Sequence, residues 1–241
     1  MTFHDQAVLV TGASRGLGAA WARAFAGEGA RVVLVARELA ALEAVAAAIR
    51  QQGGEAHALC ADVGDKRAIY PLAAAAAELV GPIDVLVHNA STLGATPLRL
   101  LLDTECEDLE RVLAVNLIGP FRLSRVLAGN MAVRRRGAIV HVSSDAAVTP
   151  YARWGAYSAS KAAQDHLARV WAEELSLLGI RVLSVDPGEM DTEMHAAAIP
   201  EADRSTLAAP EEVARRTVGM VHDPRIGSGT RVKATDWQAP A

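Results

Sequence analysis

Short apolar runs alternate with longer helical patterns along nearly the whole sequence. The apolar runs are rich in β-branched residues and are apolar on both faces, which is typical of strands buried inside a parallel sheet. Glycines occupy the joints between helix and strand, where the end of a helix favours a positive φ. Repeated strand–helix–strand units with right-handed crossovers predict an α/β fold, a doubly wound and mainly seven-stranded parallel sheet with helices on both faces.

The pattern predicts seven strands, at Ala7–Thr11, Arg31–Ala36, Ala56–Cys60, Ile83–His88, Ala138–Ser143, Ile180–Asp186 and Thr230–Ala234. It predicts helices near Leu17–Gly27, Glu38–Gln52, Asp65–Val80, Glu105–Asn116, Pro120–Arg135, Gly155–Leu178 and Pro210–Val221. No linker interrupts the series, so we expect residues 1–241 to form a single domain. The least regular segment, 189–209, has the length of a lid or a binding loop.

The composition argues against several classes of partner. The net charge is −4, which gives no general electrostatic case for binding nucleic acid or an anionic membrane. Cys60 and Cys106 are too few for a disulfide framework, and the seven His show no metal-ligand spacing, so we expect no metal. No signal peptide and no membrane-spanning apolar stretch is expected. We therefore expect a cytoplasmic protein with no nucleic-acid or membrane partner.

The first predicted strand leads directly into a glycine-rich turn, Thr-Gly-Ala-Ser-Arg-Gly-Leu-Gly, at residues 11–18. Phosphates bind where backbone N–H groups at a helix N-terminus can approach them without an intervening Cβ, and Gly12, Gly16 and Gly18 allow this. The spacing is G-x-x-x-G-x-G rather than the G-x-G-x-x-G dinucleotide fingerprint. The alternative is an ordinary strand–helix turn, but the position after an N-terminal strand favours nucleotide binding.

Together with three later segments, this turn resembles the short-chain dehydrogenase/reductase family, including members similar to 3-oxoacyl-(acyl carrier protein) reductases. Those segments are Asp62-Val63, His88-Asn89-Ala90-Ser91 and Pro187-Gly188-x-Met190-x-Thr192, which follow the third, fourth and sixth predicted strands. In the family the first of these segments contacts adenine and the last holds the nicotinamide carboxamide, and the middle one implies a local hydrogen-bonding role for Asn89. The resemblance implies cofactor binding by Gly12, Ser14, Arg15, Gly16, Leu17, Gly18, Arg37, Asp62, Val63, Asn89, Ala90, Tyr157, Lys161, Pro187, Gly188, Met190 and Thr192.

Two residues depart from the family pattern around Asn89, because His88 and Ser91 replace the usual Asn and Gly. His88 is interpreted as a core histidine at a strand end rather than as a substrate contact.

The end of the second predicted strand indicates which cofactor is preferred. Enzymes that use NAD place a carboxylate there to bind the ribose hydroxyls, whereas this sequence has Val35-Ala36-Arg37. Arg37, together with Arg15 in the glycine turn, could form bidentate bonds to a 2′-phosphate. We therefore predict NADP(H). The alternatives are that both are ordinary surface arginines, or that the protein is an NAD-dependent alcohol dehydrogenase.

Tyr157 and Lys161 lie four positions apart, on one face of a predicted helix. A free phenol has a pKa near ~10, and a neighbouring ammonium would favour the phenolate. Ser144 lies 13 residues before Tyr157 and matches the family's catalytic serine, with Ser143 as the neighbouring alternative. The resemblance implies that Asn116 anchors a water of a proton relay, and its alternative role is to end a helix. The resulting catalytic set is Asn116, Ser144, Tyr157 and Lys161.

These residues predict hydride transfer between NADP(H) and a small carbonyl or alcohol substrate, with Tyr157 as the general acid/base. A catalytically silent NADP-binding sensor, and a lyase or epimerase on the same fold, are the competing functions. The substrate stays open, although candidate pocket residues are Leu93, Asp145, Arg153, Trp154, Met190, Met194 and His195. Family resemblance and the Ala- and Leu-rich faces of helices 120–135 and 155–178 predict a homodimer or homotetramer.

Overall fold

Seven parallel strands form one sheet in the order β3-β2-β1-β4-β5-β6-β7 in the computed structural model, which describes residues 3–238. The strands are β1 (Ala7–Thr11), β2 (Arg31–Ala36), β3 (Glu55–Cys60), β4 (Val85–His88), β5 (Gly137–Val142), β6 (Ile180–Asp186) and β7 (Arg231–Lys233). The predicted doubly wound α/β fold is confirmed. The strand order reverses between β1 and β4, and ligands bind at such a switch point in open parallel sheets. Residues 1, 2 and 239–241 of the predicted domain lie outside the described residues.

Helices cover both faces of the sheet, and each face has its own apolar core. The helices are α1 (Gly16–Gly27), α2 (Leu39–Gln51), α3 (Ile69–Val80), α4 (Cys106–Leu113), α5 (Gly119–Arg134), α6 (Gly155–Leu175), α7 (Glu193–Ala198) and α8 (Pro210–Met220). On one face, Trp21 of α1, Leu42 of α2 and Val218 of α8 pack on the sheet. Leu123 of α5 and Ala168 of α6 pack on the other. Residues apolar on both faces of the central strands are what this two-sided burial requires.

A π-helical turn, Ala114–Ile118, joins α4 to α5, so residues 106–134 are continuously helical. The prediction of two helices separated between Asn116 and Pro120 is therefore wrong. Proline removes one donor from the helical ladder, and the wider π turn directly before Pro120 accommodates that loss.

Because residues 106–134 form one continuous helix, the expectation that no apolar stretch is long enough to span a membrane does not hold. An 18-residue window within Cys106–Arg134 has a mean hydropathy of 1.3, which is long and apolar enough to cross a membrane by length and composition. Half of that window is buried inside the protein, where Leu123 and Met131 are inaccessible to solvent. Burial against a sheet is the behaviour of a core helix in a globular domain.

The segment 189–209 is more ordered than its sequence pattern suggests. It contains α7 and a 3₁₀ turn, Arg204–Thr206, and its two ends are joined by a parallel bridge between Met190 and Ala208. Arg204 also pairs with Asp191 at 2.7 Å across the loop. The ends of the segment are therefore joined to each other, and a short helix lies between them.

Candidate active site

A cavity of about 880 Å³ opens at the carboxyl ends of the strands, beside the switch point between β1 and β4. Its size is within the range of ligand-binding clefts. Every predicted cofactor-binding or catalytic residue lines this cavity, with the exception of Gly18 and Asn116. The fold thus brings together residues that are as far apart in the sequence as Gly12 and Thr192.

The glycine-rich turn is fixed to the end of β4 by side chains from both strands. Gly12 has a φ of 67°, and a Cβ there would lie 2.8 Å from Asn89 Nδ2. Asn89 Nδ2 donates to the carbonyl oxygens of Thr11 and Gly12 at 3.0 and 3.1 Å. Thr11 Oγ1 in turn accepts from the backbone N–H groups of Asn89 and Ala90, both at 3.1 Å. The role of Thr11 was missed because it depends on the pairing of distant strands.

Gly18 lies in the first turn of α1 and faces the protein rather than the cavity. A Cβ at this position would overlap the carbonyl oxygen of Gly12 and crowd Asn89 Nδ2. Its glycine therefore allows α1 to pack closely on the turn, which is a different use from direct contact with a phosphate.

Arg15 and Arg37 both line the cavity beside the turn. Arg15 Nη1 lies 2.7 Å from Glu193 Oε2, and about two-thirds of each side chain is exposed (64% and 71%). The ion pair connects the glycine-rich turn to α7 of the 189–209 loop.

Asp62 is held by an arginine that the sequence did not indicate. Arg111 Nη2 of α4 donates to Asp62 Oδ2 at 2.7 Å, and the backbone N–H of Gly64 donates to Oδ1 at 2.8 Å. Burial acts to raise the pKa of Asp62, but these hydrogen bonds, with the charges of Arg111 and Arg37, keep it below its usual value. Arg111 also lines the cavity, so this end of it holds a fixed carboxylate flanked by cations.

Tyr157 and Lys161 lie one turn apart on α6 and are both buried, with exposed fractions of 8% and 1%. Lys161 Nζ is 5.6 Å from the centroid of the Tyr157 ring and donates to the carbonyl oxygen of Val142 at 2.7 Å. The lysine is therefore fixed at the end of β5, below the phenol.

The protonation of this pair differs from the sequence-based expectation. Burial raises the pKa of Tyr157 to about 12, although the hydroxyls of Ser144 and Ser91 act to lower it. Burial likewise lowers the pKa of Lys161 to about 8, against the charge of Asp165. The expectation that the neighbouring ammonium favours the phenolate is therefore wrong for the polypeptide alone, because burial has the largest effect on the pKa of Tyr157 and Lys161 is not among the groups that lower it.

Ser144 and Ser143 face different surroundings, although they are adjacent. Ser144 Oγ donates to Asp145 Oδ1 at 2.9 Å, at the edge of the cavity and next to Tyr157. Ser143 Oγ is buried and donates to Asp165 Oδ2 at 2.6 Å. Of these two adjacent serines, Ser144 and not Ser143 affects the pKa of the Tyr157 phenol.

Asn116 lies in the π turn, where it is completely buried. Its Oδ1 accepts from the backbone N–H of Thr92 at 2.8 Å, and its Nδ2 donates to Thr92 O and to Ser160 Oγ, both at 2.9 Å. The side chain thus joins the loop after β4 to α6. The alternative that Asn116 ends a helix is wrong, because the helix continues through the π turn.

Comparison with known proteins agrees with this geometry. Residues 6–203 match the profile of the short chain dehydrogenase family. The chain belongs to the short-chain dehydrogenase family. It is an oxidoreductase by membership, and the resemblance inferred from its motifs is confirmed.

Relatives of this short-chain dehydrogenase carry the names of enzymes for different substrates. It is 37% identical over 186 residues to the 2,3-dihydro-2,3-dihydroxybenzoate dehydrogenase of Bacillus subtilis, covering 77% of this chain and 70% of that protein. It is 36% identical over 225 residues to the 3-oxoacyl-(acyl-carrier-protein) reductase of Synechocystis, covering 91% and 90%.

Solved structures similar to this short-chain dehydrogenase include complexes with both nicotinamide cofactors. A metagenomic short-chain oxidoreductase in complex with NADP is 33% identical, with a TM-score of 0.82 and coverage of 95% and 96% of the two chains. An NAD⁺-bound xylitol dehydrogenase is 26% identical, with a TM-score of 0.87 and coverage of 97% and 98%. Family membership therefore implies a nicotinamide cofactor but does not choose between the two.

Near Lys161, this short-chain dehydrogenase buries two stacked histidines. His88 of β4 and His141 of β5 are paired in register, and their ring centroids are 4.8 Å apart. His88 Nε2 is 2.7 Å from Ser124 Oγ, while both ring nitrogens of His141 lack a hydrogen-bond partner among residues 3–238. Burial, with the charge of Lys161 also contributing, lowers the pKa of His88 well below its usual value and that of His141 to about 3. His88 does not line the cavity, in agreement with its interpretation as a core residue.

The far end of the cavity mixes aromatic and polar side chains. The aromatic rings of Tyr151, Trp154 and Tyr157 follow one another with centroid separations of 6.4 and 5.7 Å. Of the candidate pocket residues, all except Arg153 line this cavity. Tyr151 lines it too, but was not singled out in the sequence. Among residues 3–238, no group of three or more His, Cys, Asp or Glu side chains could hold a metal ion.

Proposed function

We propose that this short-chain dehydrogenase interconverts a small carbonyl compound and its alcohol with NADP(H), using Tyr157 as the general acid/base. One observation carries this proposal. The Tyr157 phenol, the Ser144 hydroxyl and the buried Lys161 meet in the cavity that the glycine-rich turn also lines. When bound, a nicotinamide cofactor supplies or accepts the hydride.

The side chains divide the remaining work between them. Tyr157 donates a proton to the substrate oxygen during reduction and accepts it during oxidation. Ser144 donates a hydrogen bond to the same oxygen as negative charge develops there. Lys161 and a water held near Asn116 return a proton towards Tyr157. The high pKa of Tyr157 keeps the phenol protonated at neutral pH, which suits it to act as the acid in reduction.

The residues at the cofactor end fit a dinucleotide. The turn at residues 12–18 presents backbone N–H groups at the start of α1, and its positive φ values at Gly12 and Gly16 require glycine. We assign cofactor contacts to the members of the predicted set that line the cavity, which are Gly12, Ser14, Arg15, Gly16, Leu17, Arg37, Asp62, Val63, Asn89, Ala90, Tyr157, Lys161, Pro187, Gly188, Met190 and Thr192.

We propose NADP(H) rather than NAD(H) because of the side chains at the end of β2 and in the glycine-rich turn. Position 36, which ends β2, is alanine, and Arg37 follows it in the cavity lining together with Arg15. Two guanidinium groups suit a phosphate, whereas a ribose diol needs an acceptor that position 36 does not offer. The similar structure in complex with NADP is consistent with this preference.

We further propose that the protein forms a homodimer or homotetramer through α5 and α6. Phe121 of α5 and Trp171 of α6 lie side by side, with ring centroids 5.8 Å apart, and Phe121 is 37% exposed. Val170, which precedes Trp171 in α6, is 40% exposed. Apolar side chains shared by two adjacent helices form the kind of surface that a symmetry-related copy would cover.

The experiment is to mix the purified protein with NADPH or NADH and a panel of ketones, aldehydes, 3-oxoacyl thioesters and quinones. Cofactor oxidation is followed by absorbance, with Tyr157→Phe protein as the control for contaminating activity. We expect turnover with NADPH that depends on Tyr157. Cofactor binding without turnover across the panel would instead favour a silent sensor.

A further inference from the structure

A carboxylate stands directly beside the proposed catalytic serine. Asp145 follows Ser144 in the chain and lines the same cavity. Its Oδ1 accepts from Ser144 Oγ at 2.9 Å and from the backbone N–H of Ala146 at 2.8 Å. Its Oδ2 accepts from the Tyr151 hydroxyl at 2.8 Å. Both oxygens are therefore held in position, and Oδ1 is the one that shares a hydrogen bond with Ser144.

This geometry creates a competition for one proton. A serine hydroxyl has a single hydrogen to donate, and Ser144 gives it to Asp145 while its own oxygen accepts from Ala146 N at 3.2 Å. To donate to a substrate oxygen, Ser144 must turn its hydrogen away from Asp145. Asp145 Oδ1 then loses one of its two hydrogen bonds. This loss is unfavourable, because hydrogen bonds to an ionised acceptor are strong.

The carboxylate is an acceptor only. Burial acts to raise the pKa of Asp145, but hydrogen bonds from Tyr151, Ser144 and Ala146 N, with the charge of Arg231, keep the pKa below its usual value. Asp145 is thus ionised at neutral pH and can take a replacement hydrogen bond only from a donor.

We propose that Asp145 makes the enzyme select carbonyl substrates that carry a hydroxyl group on the adjacent carbon, and vicinal diols in the reverse direction. The substrate hydroxyl takes the place of Ser144 on Asp145 Oδ1, while Ser144 turns to the reacting oxygen one carbon away. A ketone without this hydroxyl provides no replacement, so Asp145 Oδ1 lacks one hydrogen bond while that ketone reacts. This inference rests on the proposed function, because it requires Ser144 to serve a reacting carbonyl.

The experiment compares substrates of equal shape that differ in the hydroxyl. The pairs are 3-hydroxybutan-2-one with 3-methylbutan-2-one, and 2-hydroxycyclohexanone with 2-methylcyclohexanone, each with NADPH and NADH. We expect kcat/KM to favour the hydroxy ketone by about tenfold, the ratio equivalent to about 1.4 kcal/mol.

Three variants connect that ratio to the carboxylate. Asp145→Ala should bring the ratio close to one, and it should raise kcat/KM for the methyl ketones because Ser144 is no longer held. Asp145→Asn keeps the shape and an acceptor oxygen, so it should give an intermediate ratio. Tyr151→Phe removes only the bond to Oδ2 and should keep most of the preference. Thermal unfolding of each variant reports whether the fold is retained.

The outcomes separate this inference from the function on which it rests. Turnover of all four ketones at similar rates, or a ratio unchanged in Asp145→Ala, overturns the selection by Asp145 and leaves carbonyl reduction standing. Failure to turn over any of the four with either cofactor overturns the inference, and failure across the wider carbonyl panel overturns the proposed function as well.

Discussion

Arg15 Nη1 lies 2.7 Å from Glu193 Oε2, so an ion pair joins the glycine-rich turn to α7 across the mouth of the cavity. Both side chains are largely exposed, and an exposed pair of this kind contributes little to stability. Its importance is functional, because the guanidinium proposed to bind the 2′-phosphate of NADP(H) already has an anionic partner. A cofactor phosphate must therefore compete with Glu193 for Arg15.

The first prediction concerns the choice of cofactor. Arg15→Ala and Arg37→Ala should each weaken NADPH binding by roughly ten- to a hundredfold, since each removes a charge-assisted bond to one phosphate. The double variant should bind more weakly still, but not additively, because both residues contact the same group. NADH binding should change little, and Ala36→Asp should improve it. Dissociation constants for the two cofactors provide the measurement.

Glu193→Gln is the matched control for this prediction. It removes the competing charge without removing the arginine, so NADPH binding should stay the same or tighten. Wild-type protein that prefers NADH, or arginine variants that weaken both cofactors equally, would show that the NADP assignment is wrong.

The second prediction tests the acid/base role of Tyr157. Tyr157→Phe removes only the hydroxyl, so turnover should fall by at least ~10²-fold while NADPH binding is retained. Steady-state rates and a binding titration on the same preparation separate the two effects. Retained turnover in the purified variant would end the assignment.

The third prediction concerns the pH dependence of alcohol oxidation, which needs the phenolate form of Tyr157. Because the pKa of Tyr157 is raised to about 12 by burial, the oxidation rate should increase with pH across the neutral range. Ser91→Ala removes a hydroxyl that acts to lower this pKa, so the profile should move to higher pH. Ser158→Ala removes a buried hydroxyl of α6 that does not act on the pKa of Tyr157, and it serves as the control. A profile that shifts equally in both variants would contradict a specific effect of Ser91.

The fourth prediction follows from the stacked histidines. The folded protein keeps His141 neutral down to a pH of about 3, whereas an unfolded histidine takes up a proton below about 6.5. Between those values only the unfolded chain gains the proton, so acid lowers the free energy of unfolding by up to about 1.4 kcal/mol per pH unit for this residue. Above about 6.5 both states are neutral and the effect vanishes.

Urea unfolding of wild type and His141→Asn at several pH values between 4 and 8 tests this directly. The variant should be less sensitive to acid, whatever its stability at neutral pH. Parallel pH dependences in the two proteins would mean that His141 is not the group responsible.

The fifth prediction concerns assembly. Light scattering at micromolar concentration should give the mass of a dimer or tetramer, and Phe121→Glu should lower that mass by placing a charge in the apolar surface. Leu39→Glu, at an exposed apolar residue of α2 on the opposite face of the sheet from α5 and α6, is the control. A monomeric wild-type protein would refute the proposed interface.

Short stretches of sequence were sufficient to predict the strands of the sheet and the glycine-rich turn. The apolar runs predicted all seven strands to within a few residues, because burial on both faces leaves a signal in each segment by itself. Gly12 and Gly16 were identifiable for a similar reason, since their positive φ values restrict the residue type. These features depend on short stretches of chain.

Features that depend on the register between distant segments were not predicted. Arg111 meets Asp62 only because the end of α4 reaches the edge of β3, and His141 meets His88 only through the pairing of β4 with β5. The pKa of Tyr157 was misjudged for the same reason, because the sequence shows its neighbouring lysine but not the depth of its burial.

The π turn at Ala114–Ile118 determines in which direction each following side chain of the helix points. Each residue of an α-helix turns the chain by about 100°, so one extra residue in a turn changes which side faces inward. Asn116 points to Thr92, while Leu123 and Met131 further along are buried against the sheet. Deleting one residue from this turn would make the helix more regular but would destabilise the protein. Either Asn116 would lose its contact with Thr92, or the apolar residues of α5 would turn away from the sheet.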